Sequence, residues 1–150
     1  MKQLLLIGAV VVLAGCGEKP LDPILEKVVR IELKKPEGEL TKADLEEVKV
    51  LCLDALELTK LPRGLEKCTE LKELSLMNNE LTELPKGLEN LTQLTHLILI
   101  YNKLTDVKGL EKLTQLKVLS LRHNPDLTKA QIDELKKALP ECDIRSNPTK

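Results

Sequence analysis

The chain has 150 residues, enough for one domain with a modest hydrophobic core. It carries 23 Lys and Arg against 24 Asp and Glu, and this near balance argues against a nucleic-acid-binding surface, which needs a basic stripe. Tyr101 is the only residue among Phe, Trp and Tyr, so the core must be built from Leu, Ile and Val. Such a core packs most easily when one small unit is stacked several times.

The N-terminal segment MKQLLLIGAVVVLAGC places one lysine before a mostly apolar run. This layout is typical of a secretory signal, and the run is too short to cross a bilayer, which takes about 20 apolar residues. Its last four residues, LAGC, resemble the lipobox of bacterial lipoproteins. The resemblance implies a diacylglyceryl group on Cys16 and cleavage after Gly15. The alternatives are an ordinary cleavable signal or a hydrophobic N-terminus with a chance cysteine.

We therefore expect a signal peptide at residues 1–15 and a lipid-anchored tether at 16–23, where two prolines interrupt a polar stretch. The lipobox resemblance implies a location in the bacterial cell envelope. Gly17 stands where some lipoproteins carry the Asp that retains them in the inner membrane, which favours the outer membrane.

An N-terminal helical cap is expected at residues 24–47. Ile24, Val28 and Ile31 share one face of a helix and are predicted to cover the core. Further along, Thr41 is the expected N-cap of a short helix, with Asp44 completing a capping box.

Four similar segments follow, covering residues 48–138. They are VKVLCLDALELTKLPRGLEKCTE, LKELSLMNNELTELPKGLENLTQ, LTHLILIYNKLTDVKGLEKLTQ and LKVLSLRHNPDLTKAQIDELKKA. Their pattern resembles the leucine-rich repeat, L-x-x-L-x-L-x-x-N-x-L. The resemblance implies an α/β solenoid with a short curved parallel sheet, four full rungs and helical caps at both ends.

Positions within a rung are numbered from its first residue, and positions four and six should point into the core. Asn79, Asn102 and Asn124 hold position nine, where a buried amide can satisfy backbone groups. Leu56 holds that place in the first rung and predicts an irregular turn there.

The C-terminal end is predicted to close the solenoid. A helix is expected from about Lys129 to Leu139, with Thr128 as its N-cap. Residues 139–150 are predicted to form a truncated terminal rung, with Leu139, Cys142, Ile144 and Asn147 at positions one, four, six and nine.

The sequence contains no strong motif for catalysis, metal binding or disulfide formation. Cys68 and Cys142 occupy leucine positions and are predicted to be core residues, whereas Cys52 faces outward, and no disulfide is expected. His96 and His123 lie too far apart along the strand direction to share one metal ion. Ser120 and Asp126 flank His123 without resembling a hydrolase motif. We expect no enzyme activity, cofactor, metal or small-molecule substrate.

A partner is expected on the concave face of the sheet, where members of the repeat family usually bind. The anchor-type side chains that the repeat places there form the predicted concave patch: Met77, His96, Ile98, Ile100, Tyr101, Arg122 and His123. The resemblance therefore implies a membrane-anchored module that recognises another protein. Two alternatives stay open at this point: a surface adhesin that contacts a host or another cell, and a structural envelope component without a specific ligand.

Overall fold

The computed structural model describes residues 19–84 and 87–147. The predicted signal peptide, Cys16 and the last three residues of the predicted terminal rung lie outside these ranges. Helices α1 (Pro23–Glu32) and α2 (Lys42–Glu47) precede the strands β1 (Val50–Cys52), β2 (Glu73–Ser75), β3 (His96–Ile98), β4 (Val118–Ser120) and β5 (Asp143–Arg145), with α3 (Lys129–Ala138) before β5. Single 3-10 turns at Leu65–Lys67, Leu88–Asn90 and Leu110–Lys112 form the convex side.

The five strands form one parallel sheet in chain order. Leu51, Leu74, Leu97 and Leu119 are paired directly across neighbouring strands, so the core leucines stack rung upon rung. Each repeat therefore contributes one strand and one layer of the core, as predicted. The remaining inward leucines of the second rung, Leu76, Leu81, Leu88 and Leu91, are all buried.

Buried asparagines connect each rung to the one before it. The Nδ2 group of Asn102 donates to the carbonyls of Leu76 (2.9 Å) and Leu99 (3.3 Å), and its Oδ1 accepts from the backbone N–H of Leu81 (3.1 Å). Asn79 and Asn124 make the same set of contacts in their own rungs. This confirms the predicted role of position nine.

The first turn is irregular, as the missing asparagine predicts. Ala55 and Glu57 both have positive φ, whereas the turn that follows the strand in each later rung has a positive φ at position eight alone. Asn79 compensates from the second rung, because its Oδ1 accepts from the backbone N–H groups of both Leu56 (3.1 Å) and Leu58 (3.0 Å).

The buried face of α1 differs from the prediction. Of the three predicted residues, Val28 is partly buried and packs against the core, whereas Ile24 and Ile31 are 38% and 67% exposed. Leu25 and Val29 are completely buried instead. These two belong to a longer i, i+4 stripe that also includes Leu21 and Leu33, both packed against the core. The longer stripe removes more apolar surface from water, which decides the orientation of the helix.

The end of the predicted tether is packed on the solenoid. The Arg63 side chain donates to the carbonyl of Pro20 (3.0 Å), and the backbone N–H of Asp22 donates to the carbonyl of Arg63 (2.9 Å). Leu21 lies against Gly64, which has a φ of 98° and no room for a Cβ atom. Residues 20–23, which the sequence assigns to the tether, therefore pack on the first rung together with α1.

The predicted capping box of α2 is present, and the predicted N-cap of α3, Thr128, also forms one. Thr41 accepts from the backbone N–H of Asp44 (3.2 Å), and the Asp44 carboxylate accepts from the N–H of Thr41. Thr128 and Gln131 make the equivalent pair at the start of α3. Ile132 and Leu135 of that helix are buried, and the helix packs on the 3-10 turn of the third rung.

The register of the terminal rung is shifted by two residues from the prediction. Ile144 pairs with Leu119, so it holds position four instead of position six. Cys142 therefore lies before the strand, in a turn where its N–H donates to the carbonyl of Leu139 (3.1 Å), and it is only partly buried. Asn147 does not reach position nine.

The asparagine ladder predicts a large difference between two neighbouring residues. Asn79→Asp would place a carboxylate against the carbonyls of Leu53 and Leu76, and we expect it to lower the free energy of unfolding by about 2–4 kcal/mol. Asn78→Asp, at the exposed neighbouring position, should change it by less than about 0.5 kcal/mol. Urea unfolding followed by circular dichroism measures both, and equal midpoints would contradict the ladder's role.

The C-terminal cap yields a second stability prediction. Ile132→Ala removes a side chain that is 2% exposed and should destabilise the protein by about 2–4 kcal/mol, because the cavity opens over the last core layer. Asp133→Ala, on the exposed side of the same helix, should change stability by less than about 0.5 kcal/mol. Thermal unfolding measures the stability of both variants, and an equal, small change in the two would contradict the assignment of α3 as a cap.

Candidate functional site

The concave face is built by residues that alternate with the core leucines. His96 and Ile98 flank the buried Leu97 in β3, and both are half-buried. Ile100 continues this alternation beyond Leu99 and is also half-buried, while Met77 holds the same position in the second rung and is 37% exposed. An open sheet face thus carries apolar side chains that are only partly removed from water.

Tyr101 and His123 leave the sheet at its C-terminal edge. Both hold position eight, where the chain adopts the left-handed conformation, with φ of 56° and 58°. Their rings stack with centroids 4.1 Å apart and an angle of 4° between the planes. Tyr101 is 53% exposed, and Arg122 and His123 are exposed beside it.

The structure therefore brings Tyr101 and His123 into direct ring contact. Arg122 lies at position seven, beside this stack, and its carbonyl accepts from the N–H of Tyr101 (3.1 Å). His96 is held elsewhere on the face, where its Nδ1 lies 2.9 Å from the Thr95 hydroxyl.

A groove along this edge was missed by the sequence analysis. It has a volume of about 460 Å³ and runs between the residues of position eight and those of position ten, above the asparagines of position nine. Its lining side chains are Ala55, Glu57, Asn78, Glu80, Tyr101, Lys103 and His123. The sequence signal for this groove is that Glu57, Glu80 and Lys103 all hold position ten, two residues after the position of Tyr101 and His123.

Asp54 is a second feature that the sequence analysis missed. Its Oδ1 accepts from the Ser75 hydroxyl (2.6 Å) and from the backbone N–H of Met77 (2.8 Å), and the Cys52 thiol lies 3.3 Å from its Oδ2. These contacts fix a carboxylate at the first-rung end of the concave face.

Negative and positive side chains are separated along the concave face, at opposite ends of the solenoid. Asp54 and Glu73 lie at the end formed by the first two rungs, and Glu57 lines the adjoining groove. At the opposite end Arg122 is exposed, while Arg145 is paired with Asp143 (2.7 Å). A ligand that crosses this face meets negative charge at one end and positive charge at the other.

Within the described residues, no group of three or more His, Cys, Asp or Glu is arranged to hold a metal ion. Ser120 is buried, with 4% of its surface exposed, so its hydroxyl does not face an incoming substrate. None of the helices in the described ranges is long and apolar enough to cross a membrane.

The three described cysteines differ in accessibility. Cys68 is completely buried, as predicted, and burial raises the pKa of its thiol to about 11. Cys142 is partly buried, and burial raises its pKa as well. Cys52 is exposed on the concave face, as its outward position predicts.

Comparisons with known proteins agree with this architecture. Residues 69–125 match the family model described as leucine rich repeat. Two internalins of Listeria monocytogenes have similar structures: InlF, with a TM-score of 0.69 and 24% identity, and InlC2, with a TM-score of 0.70 and 26% identity. The alignments cover 85% and 86% of this chain, but 43% and 57% of the internalins.

A leucine-rich-repeat protein of Leptospira interrogans is also similar, with 31% identity and a TM-score of 0.60 over 71% of this chain and 28% of that protein. A search of curated protein sequences finds no match. The chain thus spans about half the length of the internalins that it resembles. These matches indicate no catalytic family, and they show that the fold is a leucine-rich-repeat solenoid.

The cysteine environments predict selective labelling. At pH 8 a thiol with a pKa of about 11 is thiolate in only about one molecule in a thousand, so Cys68 should not react with iodoacetamide in the folded protein. Cys52 should react under the same conditions, and Cys68 should follow only after unfolding in urea. Peptide mass mapping measures both, and labelling of native Cys68 at the rate of Cys52 would contradict the assigned core.

Proposed function

We propose that the protein is a recognition module that binds another protein through the concave face of its sheet. The observation that carries the proposal is a cluster of anchor-type side chains on this face, of which Ile100 is half-buried and the others are exposed: Met77, Ile100, Tyr101, Arg122 and His123. Tyr and Arg are enriched among the residues that dominate binding energies, and solenoids of this kind use their concave surfaces for binding.

The arrangement of this cluster supports a protein ligand. Tyr101 is prepositioned by its stack on His123, so little side-chain entropy is lost when a partner covers it. The half-buried Ile98 and Ile100 supply apolar area in the centre, and the charges lie toward the two ends. An apolar centre with a polar rim is the usual composition of a protein interface.

We also propose that Cys16 carries a lipid that anchors the module in the bacterial envelope, with the outer membrane favoured. The support is the lipobox resemblance of the sequence LAGC. Cys16 is four residue steps from Pro20, which packs on the first rung, and a chain of that length reaches at most about 14 Å. A lipid on Cys16 would hold the first rung close to the membrane surface.

The binding proposal is tested by capture and mutation. Crosslinking in native membranes should yield a specific protein, and purified Tyr101→Ala and Arg122→Ala variants should bind it about 1–3 kcal/mol more weakly than the wild type. Glu134→Ala, on the exposed surface of α3, is the matched control and should bind within about 0.5 kcal/mol of the wild type. Circular dichroism checks that all three variants fold.

The result that would overturn the proposal is equally specific. If both concave-face variants bind like the wild type while changes on the convex side abolish binding, the binding face is wrong. If no protein is captured from membranes or from neighbouring cells, the alternative of a structural envelope component is favoured.

The anchor requires a separate test. A single acyl chain binds membranes weakly, at about 0.8 kcal/mol per buried CH₂, so a diacylated Cys16 should give stable attachment. Cys16→Ser should move the protein from the detergent phase to the aqueous phase in phase partitioning, or leave it unprocessed. Unchanged partitioning together with normal processing would show that Cys16 is not the anchor.

A further inference from the structure

The aromatic stack leaves one face of the Tyr101 ring uncovered. His123 covers the face directed toward the fourth rung, with the ring centroids 4.1 Å apart. The rungs follow one another in order, so the opposite face is directed toward the second rung. Position eight there is Asn78, followed by Ala55 in the first rung, and both are shorter than Tyr. The side chains at position eight therefore become shorter next to the ring and leave this face open, consistent with the 53% exposure of Tyr101.

The open face of the Tyr101 ring forms one wall of the groove at the sheet edge, and carboxylates line the same groove. Glu80 is neutralised by Lys103, with its Oε2 3.2 Å from the lysine Nζ. Glu57 is exposed and has no ion pair with any residue in the described ranges. The groove thus combines an open aromatic face with one uncompensated negative charge.

A flat cation fits this combination better than other groups do. A guanidinium can lie parallel to an aromatic ring while its edge donates hydrogen bonds to a carboxylate. A lysine ammonium presents a compact charge without a plane, and a neutral amide lacks the attraction to Glu57. The exposed Arg122 lies near the opposite end of the column, and it disfavours a cation there.

We propose that the groove binds an arginine side chain of the partner protein, with the guanidinium stacked on the free face of Tyr101 and paired with Glu57. This inference rests on the proposed function, because it assigns the chemistry of one contact within the protein-binding face. It commits to an arginine-bearing partner segment that enters from the first-rung end.

The composition of the chain provides a clean probe of this site. Tyr101 is the only tyrosine and the chain contains no tryptophan, so its intrinsic fluorescence reports this groove alone. The full chain in detergent is titrated with N-acetyl-arginine amide, with its neutral isostere N-acetyl-citrulline amide, and with N-acetyl-lysine amide. We expect a saturable change with the arginine compound, at concentrations on the order of millimolar, and about fivefold weaker binding of the other two.

Two variants separate stacking from pairing. Glu57→Gln should weaken binding of the arginine compound about threefold, whereas the control Glu134→Gln on α3 should leave it unchanged. Tyr101→Phe keeps the ring without its hydroxyl, and the titration is followed by the ring proton resonances of the single phenylalanine that results. Its affinity should stay within about twofold of the wild type, since a phenyl face also attracts cations.

Absence of a saturable change would overturn the proposal, and so would equal binding of the citrulline or the lysine compound. The outcome is distinguishable from failure of the proposed function. If the arginine compound does not bind but Tyr101→Ala still weakens the captured partner, the protein-binding face stands without an arginine site. If the arginine compound binds while no concave-face variant affects the captured partner, the proposed binding face fails, and so does the assignment of this groove to an arginine of the partner.

Discussion

The asparagine ladder is the interaction on which the rest of the structure depends. A parallel sheet with one short strand per repeat leaves backbone groups unpaired wherever the chain turns out of the strand, and each would cost about 1–3 kcal/mol if buried alone. Asn102 satisfies three of them at once, across two rungs. The ladder also fixes the spacing between rungs, so the core leucines meet in register and the concave columns stay aligned.

The central rungs could be predicted from the sequence because several signals repeat in phase there. The leucines, the asparagines and the segment lengths all give the same register for β1 to β4. In the terminal rung the only repeat signal is the apolar Ile144 and the alternation around it. Shifting the register of β5 by two residues leaves the same side chains pointing inward. Periodicity cannot distinguish two such registers; the turn from Leu139 to Cys142 does.

The N-terminal cap and the groove could not be predicted for a different reason: the deciding contacts join segments that are far apart in the sequence. Leu21 lies in the stretch expected to be a tether, so the sequence does not show that it begins the buried stripe that continues through Leu25 and Val29. The repeat pattern places the residues of the predicted concave patch on one face, but a sequence does not report the ring geometry of Tyr101 and His123. Glu57 and Glu80 look like ordinary solvated charges until the turn brings them beside Tyr101.

Backbone conformation links the ladder to the candidate site. Position eight is left-handed in every full rung, a conformation that suits Asn78 but strains a tyrosine by about 1 kcal/mol or more. The rungs on both sides hold the backbone of Tyr101 in this conformation: its N–H donates to the carbonyl of Arg122, and its carbonyl accepts from the N–H of Asn79 (3.2 Å).

His123 lies in the last full rung, and the chain that follows it no longer continues the repeat pattern. The side-chain Oδ1 of Asn147 accepts its N–H instead (2.6 Å), so the terminal rung completes the support of the aromatic pair. The same left-handed conformation at position eight therefore projects both rings from the edge of the sheet.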